Sequence, residues 1–386
     1  MSGSEHRRVV CVPVEDLEAL ERQWVALQGR AECSYFQSWG WIGTWLREVV
    51  PDLAPQVMHV YSGQQLVGLG IFVERDFRRR HLFPVRAAFL NSCPFNGRDM
   101  TIEYNGLLVG RDHEEAVYRA VLDHLFSRDA SLDEIHLDAV SESLPLSKYL
   151  VDPDKVYRLR TEGRSPAWQV DLTQLGDGLD AYLGTLGKNR RAQIRRALKF
   201  YGGKGGLQVQ EADSPSQALK FFAELEALHT RSWLERGEPG AFANLRWTRF
   251  HEQLIRCGFP LGQTQLLKIS SGATVVGLIY SFVWRSTVYV QQTGFNRWPD
   301  RRSMPGYVSH ALAIAHNQAK GMAVYDLLHG DALYKRLLCN RSDHLRWYVL
   351  QRRRPRFYVE DRLVGLVRSL RGAGRLVNPF CRGTAE

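Results

Sequence analysis

Residues 56–73, QVMHVYSGQQLVGLGIFV, read as a β-hairpin: one apolar strand, a turn at Ser62-Gly63, and a second strand carrying Val67-Gly68-Leu69. The same pattern returns at a constant offset of 209, where residues 265–282, QLLKISSGATVVGLIYSF, align without a gap. Six of the eighteen pairs are identical (Gln56/Gln265, Ser62/Ser271, Gly63/Gly272, Val67/Val276, Gly68/Gly277, Leu69/Leu278), and most others exchange one apolar residue for another. The flanks repeat as well. An aromatic helix precedes each hairpin, with Trp39, Trp41 and Trp45 in the first copy and Trp247, Phe250 and Leu254 in the second. A helix (about 112–126 and 305–320) and an apolar strand (135–140 and 322–328) follow each. The pattern predicts an α+β architecture of two similar modules: a domain at 1–164, a second at 165–351, and a basic tail at 352–386. A basic helical segment and a helix from about 215 lead into the second module. The latter has an N-cap at Ser214, a first-turn proline at Pro215 and a capping-box partner at Gln217.

With 386 residues, 44% of them apolar, the chain can bury two hydrophobic cores. The first ten residues, MSGSEHRRVV, lack the apolar stretch of a signal peptide, and no run of about 18 apolar residues is present, so a cytoplasmic protein is expected. Six cysteines are scattered without CxxC pairs or metal-ligand spacing, which suits reduced thiols and argues against a metal site. The net charge of +10 is concentrated. Residues 188–204, KNRRAQIRRALKFYGGK, hold seven Lys or Arg and no acid; residues 352–386 hold nine Arg against three acids. Two such patches suit anionic partners or a solvated basic face.

The copies differ where an anion would sit. In the first, the helix opens with Asp112, Glu114 and Glu115, which neutralise the positive helix end. In the second the approach is Arg301, Arg302, Ser303, Met304, Pro305, Gly306 and Tyr307. Proline presets the first turn, glycine admits a ligand to the backbone and the arginines reinforce the N–H groups, a pattern suited to a pyrophosphate. Only the second copy ends its strand in VYDLLHGDALYK (324–335), which crowds Asp326, His329, Gly330, Asp331, Tyr334 and Lys335 together. The corresponding strand of the first copy, IHLDAV, is followed by SESLPLSKYL, without the Gly-Asp and Tyr-Lys pairs. The first module is therefore expected to be structural.

A hairpin, an anion-holding helix start and a strand ending in polar residues together resemble the GNAT acyltransferase fold. More narrowly, the chain resembles the cellulose-biosynthesis (CelD-like) acetyltransferases, relatives of the Fem-type transferases, which are tandem GNAT modules. The resemblance rests on KNRRAQIRR at 188–196, HTRSW at 229–233, the turn Ser303–Gly306, and Asp326 through Gly330 and Asp331 to Tyr334 and Lys335. It covers roughly 165–350; the first half shares only the architecture. The loop RRSMPG keeps part of the family's glycine-spaced pattern. The resemblance implies an acyl-CoA cosubstrate, with its phosphates near Arg301, Arg302, Ser303, Pro305, Gly306 and Tyr307.

Acyl transfer from a thioester needs a base for the nucleophile, stabilisation of the oxyanion and an acid for the thiolate. Asp326 or Asp331 fits the base, with His329 as the alternative because histidine titrates near neutrality. Tyr334 fits the proton donor and Lys335 a fixed positive charge. Each has a plainer reading: Asp331 as a helix N-cap, Tyr334 as core, Lys335 as an i,i+4 partner of Asp331. His229, Arg231 and Trp233 are candidates for the acceptor side, with Arg191 and Arg195 toward a polyanionic acceptor or tRNA. In the tail, Leu363, Leu366, Val367 and Leu370 share one helix face and Arg368, Arg371 and Arg375 another, which suits peripheral membrane contact or packing on a domain. The expected function is acyl-CoA-dependent acylation of a sugar, amino sugar or amino-acid-like acceptor, in exopolysaccharide or cell-envelope assembly. The alternatives are a Fem-like aminoacyl-tRNA-dependent transferase and a non-catalytic binding protein.

Overall fold

The computed structural model describes residues 7–80, 82–150 and 154–370, with side chains through residue 365. Two compact units are present: residues up to Ser165 together with those from His344, and Pro166–Asp343. In the first, the chain runs β1 (Arg7–Pro13), α1 (Leu17–Gln28), α2 (Trp39–Glu48), β2 (Gln56–Ser62), β3 (Gln65–Arg79), β4 (Phe83–Leu90), β5 (Leu108–Val109), α3 (Glu114–Arg128), β6 (Glu134–Ser141) and α4 (Leu146–Leu150). Strand β7 (Tyr157–Asp171) carries the chain past Ser165. The second holds α5 (Gly178–Thr185), α6 (Lys188–Gly202), β8 (Leu207–Glu211), α7 (Pro215–Leu234), α8 (Leu245–Gly258), β9 (Thr264–Ser271), β10 (Thr274–Trp284), β11 (Thr287–Phe295), α9 (Pro305–Ala319), β12 (Val324–His329) and α10 (Leu333–Leu338). Strand β13 (Arg341–Arg352) returns the chain to the first unit, where α11 (Pro355–Leu370) follows.

Each unit is a mixed sheet flanked by helices. β1, β2, β3 and β4 pair antiparallel in turn, and β4 pairs parallel with β6. In the second unit β8, β9, β10 and β11 do the same, and β11 pairs parallel with β12. The duplicated residues have the same geometric duties in both. Gly63 and Gly272 turn the hairpins at φ 59° and 56°, which a side chain rarely tolerates. The ladder skips one residue at Val67 and one at Val276, so the repeated valine is a β-bulge in each copy. The next glycine lets a helix lie on the sheet. A Cβ on Gly68 would come within 2.5 Å of Val117 in α3, and one on Gly277 within 2.6 Å of Ser309 in α9.

Helix starts follow the sequence signals. Ser214 accepts from the Gln217 N–H at the head of α7, with Pro215 in the first turn. The Gln217 side chain reaches back to the N–H of Asp213 at 2.9 Å, one residue earlier than a capping box requires. Asn244 caps α8 through the N–H groups of Arg246 and Trp247. On one face of the second sheet, α9 and α6 bury Val308, Ile314, Ile194 and Tyr201 against Val276, Ile279, Val288 and Tyr325. On the other, Phe222 of α7 packs edge-on to Tyr280 and stacks on Trp247 of α8. A fully buried large apolar side chain contributes roughly 1.5–3 kcal/mol, so these layers fix the strands that frame the site.

The structure departs from the expected division at the C-terminal side. Leu345–Gln351 pair antiparallel with β6, so the segment from His344 belongs to the first unit rather than to a domain ending at 351. The start of the tail is anchored there too. Phe357 is buried against Val85, Ala87 and Phe89, Glu360 bonds Arg80, and Asp361 bonds Arg158 and Arg160. Leu363 is exposed. The predicted apolar face at Leu366, Val367 and Leu370 and the arginines 368, 371 and 375 lie outside the described side chains.

Candidate active site

Strands β11 and β12 are paired over three residues only, Thr287 with Val324, Val288 with Tyr325 and Tyr289 with Asp326. β11 then continues to Phe295 beside β10, with a second bulge at Gln291, between the Val290 and Gln292 pairs. β12 leaves by a different route. Leu328 takes a left-handed conformation at φ 63°, and His329 pairs with Ala167 of β7. The two parallel strands thus part and leave a gap between them. α9 covers one face of this region. α7 covers the other so closely that a Cβ on Gly294 would meet the Leu225 carbonyl oxygen at 2.7 Å.

The head of α9 carries the expected phosphate residues. Met304, at φ 40°, occupies the N-cap position without a capping side-chain bond, and Pro305 fills the first turn. Arg302 is engaged locally: it donates from Nε to both oxygens of Asp300 (3.1 and 3.0 Å) and from a terminal nitrogen at 2.6 Å. Those bonds hold the Asp300 carboxyl down to about 2. Arg301 is exposed, and Ser303 is buried with its N–H on the Asp300 carbonyl. A Cβ on Gly306 would lie 3.3 Å from the Phe295 ring, and the Tyr307 ring lies under the guanidinium of Arg190 at 4.0 Å. The guanidinium stacked on the first turn of α9 therefore comes from α6, and the spacing of the 188–204 run did not single it out for this end.

Strand alternation divides the residues that the sequence crowds together. Asp326 accepts from the Gln169 side chain at 2.9 Å on one oxygen and from the Leu328 N–H at 2.7 Å on the other. This buried carboxylate thereby holds the left-handed turn at Leu328. Its neighbour Tyr325 points to the opposite face and meets α9. His329 ends the strand, and its carbonyl accepts from the Lys335 ammonium at 2.6 Å. Gly330, at φ 132°, donates its N–H to Pro166 and accepts from the Trp168 indole. Asp331 is exposed and is not the cap of α10; Ala332 takes that position. Tyr334 stacks on the ring of His310 with centroids 5.8 Å apart and planes at 21°.

His310 had no place among the expected site residues. It is 1% exposed, its Nδ1 lies 3.0 Å from the Tyr325 hydroxyl, and Phe295 meets its ring edge to face at 5.7 Å. Burial first, then the charge of Lys335, lower its pKa to about 3, so the ring is neutral in the physiological range. Its sequence signal is a polar Ser309-His310 pair on the apolar face of a helix.

On α7, His229 and Trp233 come together with ring centroids 5.6 Å apart, and Gly240 at φ 71° closes over the histidine. Burial, then Arg236, lower the His229 pKa to about 4. Arg231 is exposed. Arg191 and Arg195 turn toward α5, donating to the Gly184 carbonyl at 3.1 Å and to Asp180 at 3.0 Å. Among the described residues no three His, Cys, Asp or Glu side chains are grouped as metal ligands.

The first unit has the same three-residue parallel pairing, Ala87–Phe89 with Glu134–His136, but its gap is bridged. Asn105 donates its side-chain amide to the Leu90 carbonyl at 2.9 Å and its backbone N–H to the Ala139 carbonyl at 3.1 Å. Asn91 donates in turn to the Asn105 side chain and to the Gly106 carbonyl. The loop between β4 and β5 is therefore stitched to both parting strands. In the second unit, β11 and α9 are joined directly by residues 296–304, with Asn296 bonded to the Val276 and Val275 carbonyls of β10.

Residues 188–336 match the family model of the acetyltransferase (GNAT) domain, so the second unit carries a GNAT-type acyltransferase domain. No curated protein sequence matches the chain. Among solved structures, the chain is similar to a conserved protein of unknown function from Bacteroides thetaiotaomicron, with TM-score 0.55, 9% identity, and 89% of this chain and 100% of that one covered. It is similar to FemX at TM-score 0.55 and 12% identity over 89% and 95% of the two chains. A third likeness is to the C-terminal domain of a putative lysylphosphatidylglycerol synthetase from Agrobacterium fabrum, at TM-score 0.51 and 12% identity over 96% and 100%. At such identities the likeness is one of fold.

Proposed function

We propose that the protein transfers an acyl group, acetyl in the simplest case, from acyl-CoA to an amine or hydroxyl of a sugar, amino sugar or amino-acid-like acceptor. The observation that most supports this reading is the parting of β11 and β12 beside an uncapped helix start, within the segment that matches the acetyltransferase domain. An extended pantetheine arm fits between parting strands, and its phosphates fit the first turn of α9 with Arg190 and Arg301. The acceptor nitrogen or oxygen adds to the thioester carbonyl, the C–S bond breaks and the thiolate takes a proton. Tyr334 suits the proton donor, and Lys335 supplies positive charge next to it. His329 or the exposed Asp331 takes the acceptor's proton, directly or through water. Both oxygens of Asp326 accept protein hydrogen bonds, which favours a positioning role for it. His229, Arg231 and Trp233 form the acceptor side, with Arg191 and Arg195 near a polyanionic one.

The resemblance to CelD-like acetyltransferases favours exopolysaccharide or cell-envelope synthesis at the cytoplasmic face of a membrane. No helix among the described residues is long and apolar enough to cross one. Exposed Val359 and Leu363 on α11 favour peripheral contact. The second reading is a Fem-like transfer from aminoacyl-tRNA, favoured by the fold likeness to FemX and by the basic run at 188–204. Melting curves of the full chain with acetyl-CoA, free CoA and uncharged tRNA separate the two. A rise in Tm with both coenzymes and none with tRNA, followed by thiol release with an amino-sugar acceptor, is the expected outcome; a rise with tRNA alone overturns the reading.

A further inference from the structure

His310 is built as a contact and is left with one contact unmade. Its Nδ1 is held by Tyr325, while its Nε2 is buried and has no hydrogen-bond partner. A buried polar nitrogen without a partner is costly, and such groups are rare in native proteins. Rings from three elements beside the gap surround it: Phe295 at the end of β11, Tyr325 on β12 and Tyr334 on α10. Gly306 approaches the same Phe295 ring from the first turn of α9.

The geometry points to His310 Nε2 as a hydrogen-bonding contact for the acyl donor, made to an amide or the thioester carbonyl of the arm lying between β11 and β12. This rests on the acyl-CoA reading. Coenzyme A carries two amides between its thiol and its pyrophosphate, each with an N–H and a C=O. A neutral imidazole can meet either. When the Tyr325 hydroxyl donates to Nδ1, Nε2 carries the proton and donates; when Nδ1 donates to Tyr325, Nε2 accepts. Burial, reinforced by the charge of Lys335, keeps the ring neutral and so keeps both options.

The test uses the full chain, free coenzyme A as the probe and the double variant His310→Phe/Tyr325→Phe, which removes both partners of the internal bond and preserves ring volume. Calorimetric titration of the unaltered protein comes first; absence of coenzyme A binding there defeats the acyl-CoA reading itself. With binding established, the double variant is expected to bind coenzyme A about threefold to tenfold more weakly, the worth of a neutral hydrogen bond, while its ligand-free melting temperature stays near that of the parent. Nitrogen-15 spectra of labelled histidine supply a readout that a structural role does not move: saturating coenzyme A shifts the His310 Nε2 resonance. Unchanged affinity in the variant together with an unmoved resonance overturns the inference while leaving the donor site intact. Should the double variant fail to fold, the resonance of the parent protein decides alone.

Discussion

Lys335 donates its ammonium to the backbone carbonyl of His329 at 2.6 Å, tying the first turn of α10 to the end of β12 across Gly330. The glycine is required there. Its φ of 132° excludes most side chains, and a Cβ would stand 3.2 Å from the Lys335 nitrogen. The cation is thus fixed beside Tyr334 and His310 and does not sweep solvent.

A fixed cation beside a proton donor should act on the transition state. Lys335→Met is expected to lower kcat by about 10² with little change in donor affinity. It should also cost about 1.5–3 kcal/mol of stability, the worth of a hydrogen bond to a charged group. Steady-state kinetics with parallel denaturation curves read both. A loss of stability with kcat intact would reduce Lys335 to a strap.

In the first unit, Asn105 bridges the parting strands through Leu90 and Ala139. Asp138 there accepts from Ser92 at 2.9 Å, and burial raises its pKa. Asp138→Asn is therefore expected to leave kcat within about twofold of the parent in a folded protein. Turnover assays at matched folded fraction check this, and a large loss of kcat would assign the first unit a part in the chemistry.

Gly277→Ala should destabilise the protein by about 1–3 kcal/mol, because the new methyl meets Ser309 at 2.6 Å and Phe295 at 2.7 Å. Gly68→Ala should behave alike through Val117 at 2.5 Å. Urea midpoints of both variants give the comparison. A cost below about 0.5 kcal/mol at either position would mean that the helix above it yields.

Stability should fall with acid below about pH 6.5. His310 and His229 have folded pKa values of about 3 and 4, below the ordinary 6.5, so the unfolded chain binds more protons in that window and unfolding is favoured as pH drops. For His310 alone the linkage amounts to about 2 kcal/mol between pH 7 and pH 5. Denaturant midpoints across that range in the parent and in His310→Phe are the measurement; equal slopes would show that the histidine titrates normally.

The hairpins, the helix starts and the aromatic helices were legible because each leaves a local mark: alternation, a glycine at a turn, or a serine three residues before a glutamine. The bulges at Val67 and Val276 were visible only as a repeated triplet whose geometry needs the partner strand. Arg302 illustrates a sign that was present and unread, since Asp300 lies two residues away and engages it. The parting of β11 and β12, the bridging of the first gap by Asn105 and the return of residues 344–352 to the first unit depend on pairing between distant segments. Sequence periodicity carries no register for these. Crowding in sequence also misled by one step, because neighbouring strand residues face opposite sides and Asp326 therefore points away from His310 and Tyr334.

The most direct measurement is calorimetric titration of the full chain with coenzyme A, repeated with Arg190→Glu and Arg302→Glu. One site per chain is expected, weakened tenfold or more by the change at Arg190, whose guanidinium stacks on the first turn of α9. A smaller effect is expected for Arg302→Glu, because Arg302 is already paired with Asp300. No binding at millimolar coenzyme A, or binding indifferent to Arg190→Glu, would contradict the placement of the donor in the second unit.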